Sequence, residues 1–139
     1  MLSAYPACFI KEENGYSVIF PDLDNLATCG ETLDDAFAMA VDCLAGYLYS
    51  LKIEGAKFPS TSSPNELNAE SIAHDSGAET NDAFVNIVTV DVDEYAKKHF
   101  EKAVKKTLTI PAWLNDLAAA EGINFSQTLR DALRARLGV

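Results

Sequence analysis

Apolar and polar residues follow two different repeats along the first part of the chain. Within residues 16–20, Tyr16, Val18 and Phe20 alternate with Ser17 and Ile19. This alternation predicts a β-strand, because successive side chains of a strand point to opposite faces. Between residues 33 and 53 the apolar residues recur at every third or fourth position instead, which predicts a helix that buries one side. The predicted buried stripe of that helix consists of Leu33, Phe37, Val41, Leu44, Leu48 and Leu51.

Turn and cap residues complete the division of residues 1–104 into elements. Asn14-Gly15 predicts a tight hairpin because both residues tolerate positive φ, and Pro21 ends the second strand. Thr32 predicts the start of the long helix. The predicted strands are residues 5–11, 16–20, 26–30 and 84–92; the predicted helices are residues 33–53, a short helix opened by Ser63, Pro64 and Glu66, and residues 94–104 capped by Asp93. This β-β-β-α-(short α)-β order predicts an α+β fold with one long helix packed on a sheet.

The end of the chain repeats both patterns on a smaller scale. In residues 105–110, Leu108 and Ile110 alternate with Lys105, Thr107 and Thr109, which predicts a short strand. The helices predicted after it are residues 112–121, opened by Pro111 and closed by Gly122, and residues 127–137, capped by Ser126. Strand, helix, glycine turn and helix in this order are typical of a ribbon-helix-helix DNA-binding domain.

Such a domain has to be a dimer, because one short strand has no partners for its backbone groups. Two copies of the strand pair across a two-fold axis, and the helices of both chains cover their apolar face. The sequence therefore predicts at least a homodimer. The predicted dimer interface consists of Leu108, Ile110, Trp113, Leu129 and Leu133.

The opposite face of the paired strands is the predicted DNA-reading surface. Lysine can reach the acceptors of guanine, and threonine can use its hydroxyl or its methyl group on base edges. The first turn of the last helix offers backbone N–H groups to a phosphate. The predicted DNA-binding residues are Lys105, Thr107, Thr109, Ser126, Gln127 and Thr128. A helical hairpin that dimerises without touching DNA is the alternative.

Charge divides the chain at the same place. The protein has 139 residues and a formal net charge of −10. Residues 1–104 hold 6 lysines and 18 acidic residues, a net of −12, whereas residues 105–139 hold 5 basic and 3 acidic residues, a net of +2. An acidic body favours basic partners, so only the C-terminal segment suits a phosphate backbone.

Catalytic chemistry is not expected from this sequence. Asp22, Asp24, Glu31, Asp34 and Asp35 crowd one stretch, and a nuclease could use such carboxylates to hold two divalent ions. Helix capping and solvation explain all five. We therefore expect no catalytic residue, no metal and no cofactor.

The cysteines and the N-terminal segment suggest a reduced, cytoplasmic protein. Cys8, Cys29 and Cys43 are odd in number and lack the spacing of metal ligands, and His74 and His99 lie near no ligand pattern. We expect three reduced, buried thiols. The sequence shows no signal-peptide pattern and no apolar run long enough to predict a membrane span.

The body resembles the HicB antitoxin family. The resemblance is carried by an aromatic hairpin, by Phe20-Pro21-Asp22-Leu23, and by Thr28-x-Gly30-x-Thr32-x-x-Asp35-Ala36 at the start of the long helix. The chain departs from the family at Asp24-Asn25, where Pro-Gly is common. HicB proteins end in either a helix-turn-helix or a ribbon-helix-helix domain, and this chain is similar to the second type.

The resemblance implies a fold, partners and a domain division. Residues 1–92 would form an inactive, partial ribonuclease H-like domain that binds and blocks a small HicA toxin, an mRNA-cleaving protein with a catalytic histidine. Residues 93–104 would be a helical linker. Residues 105–139 would form the ribbon-helix-helix dimer that binds a palindromic operator and represses its own operon. Asp34, Asp35 and Asp42 are candidate toxin contacts only because the toxin would be basic.

A second function remains open from the sequence. The chain could be a stand-alone ribbon-helix-helix repressor whose acidic domain binds a ligand or only oligomerises. A short, basic, histidine-containing protein encoded next to it would favour the antitoxin.

Overall fold

A computed structural model describes residues 1–79 and 81–138. The chain forms two compact units, one from Met1 to Lys102 and a second that begins at Ala103. The boundary lies within three residues of the break predicted from the charges. We call the first unit the body and the second the C-terminal unit.

The body is built on a four-stranded antiparallel sheet. Its strands are β1 (Leu2–Glu12), β2 (Gly15–Phe20), β3 (Leu26–Gly30) and β4 (Ala83–Asp91), in the order β3-β2-β1-β4. All four predicted strands are present. The predicted hairpin is confirmed, since Glu12 pairs with Gly15, which has a φ of 141°.

Helix α1 (Leu33–Ile53) begins and ends as predicted and covers one face of the sheet. Thr32 is its N-cap, and its hydroxyl accepts a hydrogen bond of 3.1 Å from the Asp35 N–H. The predicted buried stripe is partly wrong. The fully buried residues of α1 are Ala36, Ala40, Leu44, Ala45 and Leu48. Alanines face the sheet because they let the helix approach aromatic side chains on β1 and β2 such as Phe9 and Phe20.

Helix α1 also corrects the expectation about membrane spans. It is 21 residues long, with a hydropathy of 1.3 over its most apolar window, and is by length and composition long enough to cross a membrane. Its buried alanines and leucines pack on the sheet, so in this fold it is the core helix of the body.

The other face of the sheet carries a smaller apolar cluster under helix α2 (Ala69–Asp75). Cys8, Ile10 and Ala73 are its buried members. The predicted capping box at Ser63 forms only a 3₁₀ turn, Pro64–Glu66, without a side-chain cap. The helix begins later because the Asn68 side chain accepts a hydrogen bond from the Ser71 N–H.

Helix α3 (Val92–His99) follows β4 directly and is shorter than predicted. Asp91, not Asp93, is its N-cap, and the Asp91 carboxylate accepts from the Glu94 N–H at 3.2 Å. This start places Val92 and Ala96 in the core. The helix ends five residues before the predicted Val104, where the ring of Phe100 packs against Tyr49 with ring centres 5.3 Å apart.

The C-terminal unit contains α4 (Ala112–Ala120) and α5 (Phe125–Leu137). Gly122 makes the turn between them with a φ of 68°. Within the described part of the chain, residues 105–110 form no hydrogen-bonded strand. A strand requires a partner, and a single copy of this unit offers none to the segment.

Candidate functional site

The C-terminal unit has no core of its own. None of its described residues is buried, and only Ala118 and Leu129 are half-buried. Large apolar side chains are open to solvent instead: Leu108 is 64 %, Trp113 65 % and Leu133 51 % exposed. So much exposed apolar surface on a small unit is typical of a surface that a partner covers.

An apolar groove brings three of the five predicted interface residues together. Leu108 and Ile110 of the extended segment and Leu129 of α5 line a groove of about 510 Å³, which Phe125 also lines. The two other predicted interface residues, Trp113 and Leu133, are exposed and do not line it. The unit therefore presents an apolar surface larger than the groove.

The predicted DNA-reading residues are all accessible. Lys105, Thr107 and Thr109 are exposed in the segment before α4. They occupy alternate positions to Leu108 and Ile110, so in an extended chain the two sets point in opposite directions.

The predicted cap of the last helix is wrong. Asn124 is the N-cap of α5, and its side-chain oxygen accepts a hydrogen bond of 3.0 Å from the Gln127 N–H. The Thr128 N–H donates to the Asn124 carbonyl. Two of the three N–H groups proposed for a phosphate are therefore already used within the helix. The Gln127 side chain is also engaged, because its amide donates to Asp131 at 2.8 Å.

The body has a strongly acidic region at the end of the sheet where the β1–β2 hairpin turns. Two grooves of about 590 and 450 Å³ meet there, and both are lined by Glu12 and Glu13. We call this region the acidic end. Its carboxylates are Glu12, Glu13, Glu31, Asp35, Glu79 and Asp82. The acidic end was not predicted from the sequence, although Glu12-Glu13 immediately before the Asn14-Gly15 turn is a local signal of acidic residues held at a hairpin tip.

The acidic residues singled out from the sequence mostly have structural partners. Asp35 completes the cap of α1, because its carboxylate accepts from the Glu31 N–H at 2.9 Å. Asp22 accepts from both the N–H and the hydroxyl of Ser62, each at 2.7 Å. Among the described residues, no group of three or more His, Cys, Asp or Glu is arranged to hold a metal ion.

Asp42, a candidate toxin contact, joins α1 to α3. Its carboxylate accepts a hydrogen bond of 2.9 Å from the Tyr95 hydroxyl. Desolvation by burial, then this hydrogen bond and the Asp42 charge, raise the pKa of Tyr95 from 10.0 to about 12. Tyr95 also stacks on His99 with ring centres 4.1 Å apart. Asp42 therefore helps to hold α3 against α1.

The three cysteines differ in exposure, which corrects the expectation that all are buried. Cys8 is buried and Cys43 half-buried, and burial raises the pKa of both thiols. Cys29, on β3, is exposed. All three are free thiols.

Comparison with known proteins finds solved structures with a similar fold. A structure of a toxin–antitoxin complex from Streptococcus pneumoniae contains a chain 34 % identical to this one, with a TM-score of 0.67 over 98 % of this chain and 99 % of that chain. A HicA3 and HicB3 toxin–antitoxin complex contains a chain with a similar fold, at 24 % identity and a TM-score of 0.51, covering 64 % of this chain and 99 % of that one.

Sequence relatives agree with the structures. Antitoxin HicB 2 of Photorhabdus laumondii is 45 % identical over 40 residues, a match that spans 29 % of this chain and 29 % of that protein. The family described as HicB-like antitoxin of bacterial toxin–antitoxin systems matches residues 5–132. Because this match runs through both units, the chain belongs to the HicB-like antitoxin family.

Proposed function

We propose that this chain is a non-catalytic antitoxin that works through two surfaces. The body binds and neutralises a HicA-type, mRNA-cleaving toxin, and the C-terminal unit dimerises and binds operator DNA to repress its own operon. Residues 1–92 form the toxin-binding domain, 93–104 the linker and 105–139 the DNA-binding domain in this proposal.

The observation that carries the dimer is the missing core of the C-terminal unit. Burying apolar area stabilises by about 25 cal/mol per Å², and the exposed Leu108, Trp113 and Leu133 supply that area only if a partner covers them. A second copy of residues 105–110 would also supply the hydrogen bonds that the single segment lacks. One symmetric contact between two copies would both cover the apolar side chains and supply the missing hydrogen bonds.

DNA binding is supported by where the basic charge lies. The exposed segment before α4 carries Lys105 and Lys106, and α5 carries Arg130, Arg134 and Arg136. The unit is the one part of an acidic protein with a net positive charge. A dimer of it has two-fold symmetry, so the operator half-sites would be related by the same symmetry, which makes the operator palindromic.

Toxin binding is supported by the family and by charge. Proteins that cleave RNA bind a polyanion and carry basic surfaces, and the acidic end offers six carboxylates around two adjoining grooves. In those grooves, Lys11 is the one basic residue among the described lining residues. An antitoxin that places this surface over the RNA-binding face of a toxin excludes the substrate by charge as well as by bulk.

Titration calorimetry with the product of the neighbouring short reading frame tests the proposal. Wild-type protein should bind it tightly, and a Glu12→Lys/Glu13→Lys variant should bind at least about tenfold more weakly, because like charges then face each other. The matched control is Glu54→Lys/Glu66→Lys, which reverses two exposed carboxylates away from the acidic end. Absence of binding by the wild type, or equal weakening by both variants, would contradict this assignment.

A further inference from the structure

A further groove on the body lies between the end of α2 and the turn that leads into β3. It has a volume of about 330 Å³ and is lined by Ile19, Asn25, Ile72, Asp75 and Ser76. Three separate parts of the chain meet there, namely β2, the residue before β3, and the last turn of α2 with the residue after it. We call it the side groove.

The apolar part of the side groove is small. Ile19 and Ile72 are half-buried and pack against the buried cluster under α2. Pockets for small molecules start at roughly 300 Å³, so the side groove has room for about one long side chain. Arginine and lysine suit such a place, because their stems lie on apolar surface while the charged head reaches polar groups.

The polar groups of the side groove are free to accept hydrogen bonds. The Ser76 hydroxyl donates to the Ala73 carbonyl at 2.7 Å, which leaves its own lone pairs open. Within residues 1–79 and 81–138, the side chains of Asn25 and Asp75 make no hydrogen bond and no ion pair. The Asp42 carboxylate, by contrast, already accepts a hydrogen bond within the body.

Asn25 supplies an amide where folding requires none. It follows Asp24 in a turn in which both residues have left-handed backbone, with φ of 56° and 55°. Glycine adopts this backbone without strain, whereas a residue with a side chain does so at a cost. The amide at this position is therefore not explained by the turn, and it lines the side groove.

Charge and position indicate what the side groove binds. Asp75 is the one charged residue among the described residues that line it, so a basic group is favoured there. Ser76 is followed by Gly77, which lines the larger groove of the acidic end. A basic toxin that covers the acidic end therefore lies beside the side groove. A guanidinium group offers several N–H donors in a plane and is weakly hydrated, which suits acceptors around an apolar floor.

We propose that the side groove holds the side chain of one arginine of the toxin. The stem of this arginine lies on Ile19 and Ile72, and its guanidinium group pairs with Asp75 and donates to the side-chain oxygen of Asn25. This inference rests on the proposed function, because the toxin must bind the body. The acidic end attracts basic proteins in general, whereas the side groove adds a contact that fixes one orientation of the toxin.

Titration calorimetry with the product of the neighbouring short reading frame tests this contact. Asp75→Asn removes the charge at constant shape and should weaken binding by at least about tenfold. Asn25→Gly should also weaken binding, while its midpoint of urea unfolding stays close to that of the wild type, because relief of the backbone strain offsets the added freedom of the unfolded chain. The matched control Glu70→Gln removes the same charge at the other end of α2 and should bind like the wild type.

Replacing each arginine of the toxin in turn with glutamine identifies the partner. One replacement should weaken binding by about tenfold, and combining it with Asp75→Asn should weaken binding little further, because both changes remove the same contact. Equal affinity of wild type and Asp75→Asn, or losses that multiply for every arginine, would overturn the side groove and leave the proposed function intact. Absence of binding by the wild type would overturn both.

Discussion

Single residues fix the meeting point of the hairpin, β3 and α1. Gly15 has a φ of 141°, and a Cβ there would lie 2.3 Å from the Gly30 carbonyl oxygen. Gly30 in turn lies against the backbone of Ala36 at the first turn of α1. Two glycines thus let three backbones approach more closely than side chains allow. The acidic end is built on this contact, because Glu31 and Asp35 flank it.

Replacing Gly30 with alanine should therefore destabilise the body by about 3 kcal/mol, the cost of overpacking a rigid backbone contact. Urea unfolding followed by circular dichroism measures this. The control is Gly46→Ala, where the new Cβ meets only Phe100 at 4.0 Å; removing a glycine from a helix there should stabilise by about 0.5–1 kcal/mol. Equal effects of the two substitutions would contradict the close approach at Gly30.

Because of Tyr95, the stability of the body should depend on pH in the alkaline range. Its hydroxyl donates to the Asp42 carboxylate, so only the protonated form makes the bond. The pKa is raised from 10.0 in the unfolded chain to about 12 in the folded chain. A raised pKa of this kind means that the stabilisation is complete below pH 10 and is lost as the pH rises through about 12.

Tyr95→Phe removes the bond and should cost about 1 kcal/mol at neutral pH. Measured against the wild type at increasing pH, this difference should shrink above pH 10 and vanish by about pH 12. Chemical denaturation of both proteins at matched pH gives the comparison. A difference that stays constant across this range would show that folding does not raise the pKa of Tyr95, which would contradict a buried hydroxyl bonded to Asp42.

At the scale of elements, the ends of α1 were predictable and its orientation was not. Thr32 and Gly55 are strong local signals for the two ends, and both were correct. Which side of the helix faces the sheet depends on the large side chains across the interface, so Ala36 and Ala40 are buried while Leu33 is 37 % exposed. Nothing in the helix sequence itself reveals that partner surface.

Helix starts were misplaced where two capping residues lie close together in sequence. Asp91 and Asp93 compete to cap α3, and Asn124 and Ser126 compete to cap α5. In α3 the start at Val92 is favoured because it places Val92 and Ala96 in the core. Such choices depend on contacts distant in sequence, as does the strand order that leaves β4 at an edge.

The fluorescence of Trp113 can report whether the C-terminal unit dimerises. Trp113 is the single tryptophan of the protein and is 65 % exposed in one copy. In the proposed dimer it is covered, so wild-type emission should be blue-shifted. Leu108→Asp should shift the emission to the red by placing a charge in the apolar interface.

Ile53→Asp, an exposed apolar position on the body, serves as the control and should leave the emission unchanged. Red-shifted emission in the wild type at all protein concentrations would show that Trp113 stays in water and that the interface lies elsewhere.

At the scale of the whole molecule, the body and the C-terminal unit carry net charges of opposite sign. The body holds the acidic end, and the C-terminal unit holds the exposed basic segment. In the proposed function, these charges direct a toxin and a DNA duplex to different units. The charge division was visible in the sequence. Of the acidic end, only Glu12-Glu13 at the hairpin gave a local signal, because the other carboxylates come from the start of α1 and the loop before β4.

Operator binding by fluorescence anisotropy, on DNA from upstream of the protein's own gene, tests this account most directly. Thr107→Ala should weaken binding by about 1–3 kcal/mol for each lost base contact, and Lys105→Gln should lower the salt dependence by about one ion per lost phosphate contact. The control Thr61→Ala, exposed on the body, should bind like the wild type. We therefore expect wild type and Thr61→Ala to bind the operator with equal affinity, and Thr107→Ala to bind it more weakly. Equal affinity of wild type, Thr107→Ala and Thr61→Ala, or no sequence-specific binding at all, would contradict DNA recognition by this segment.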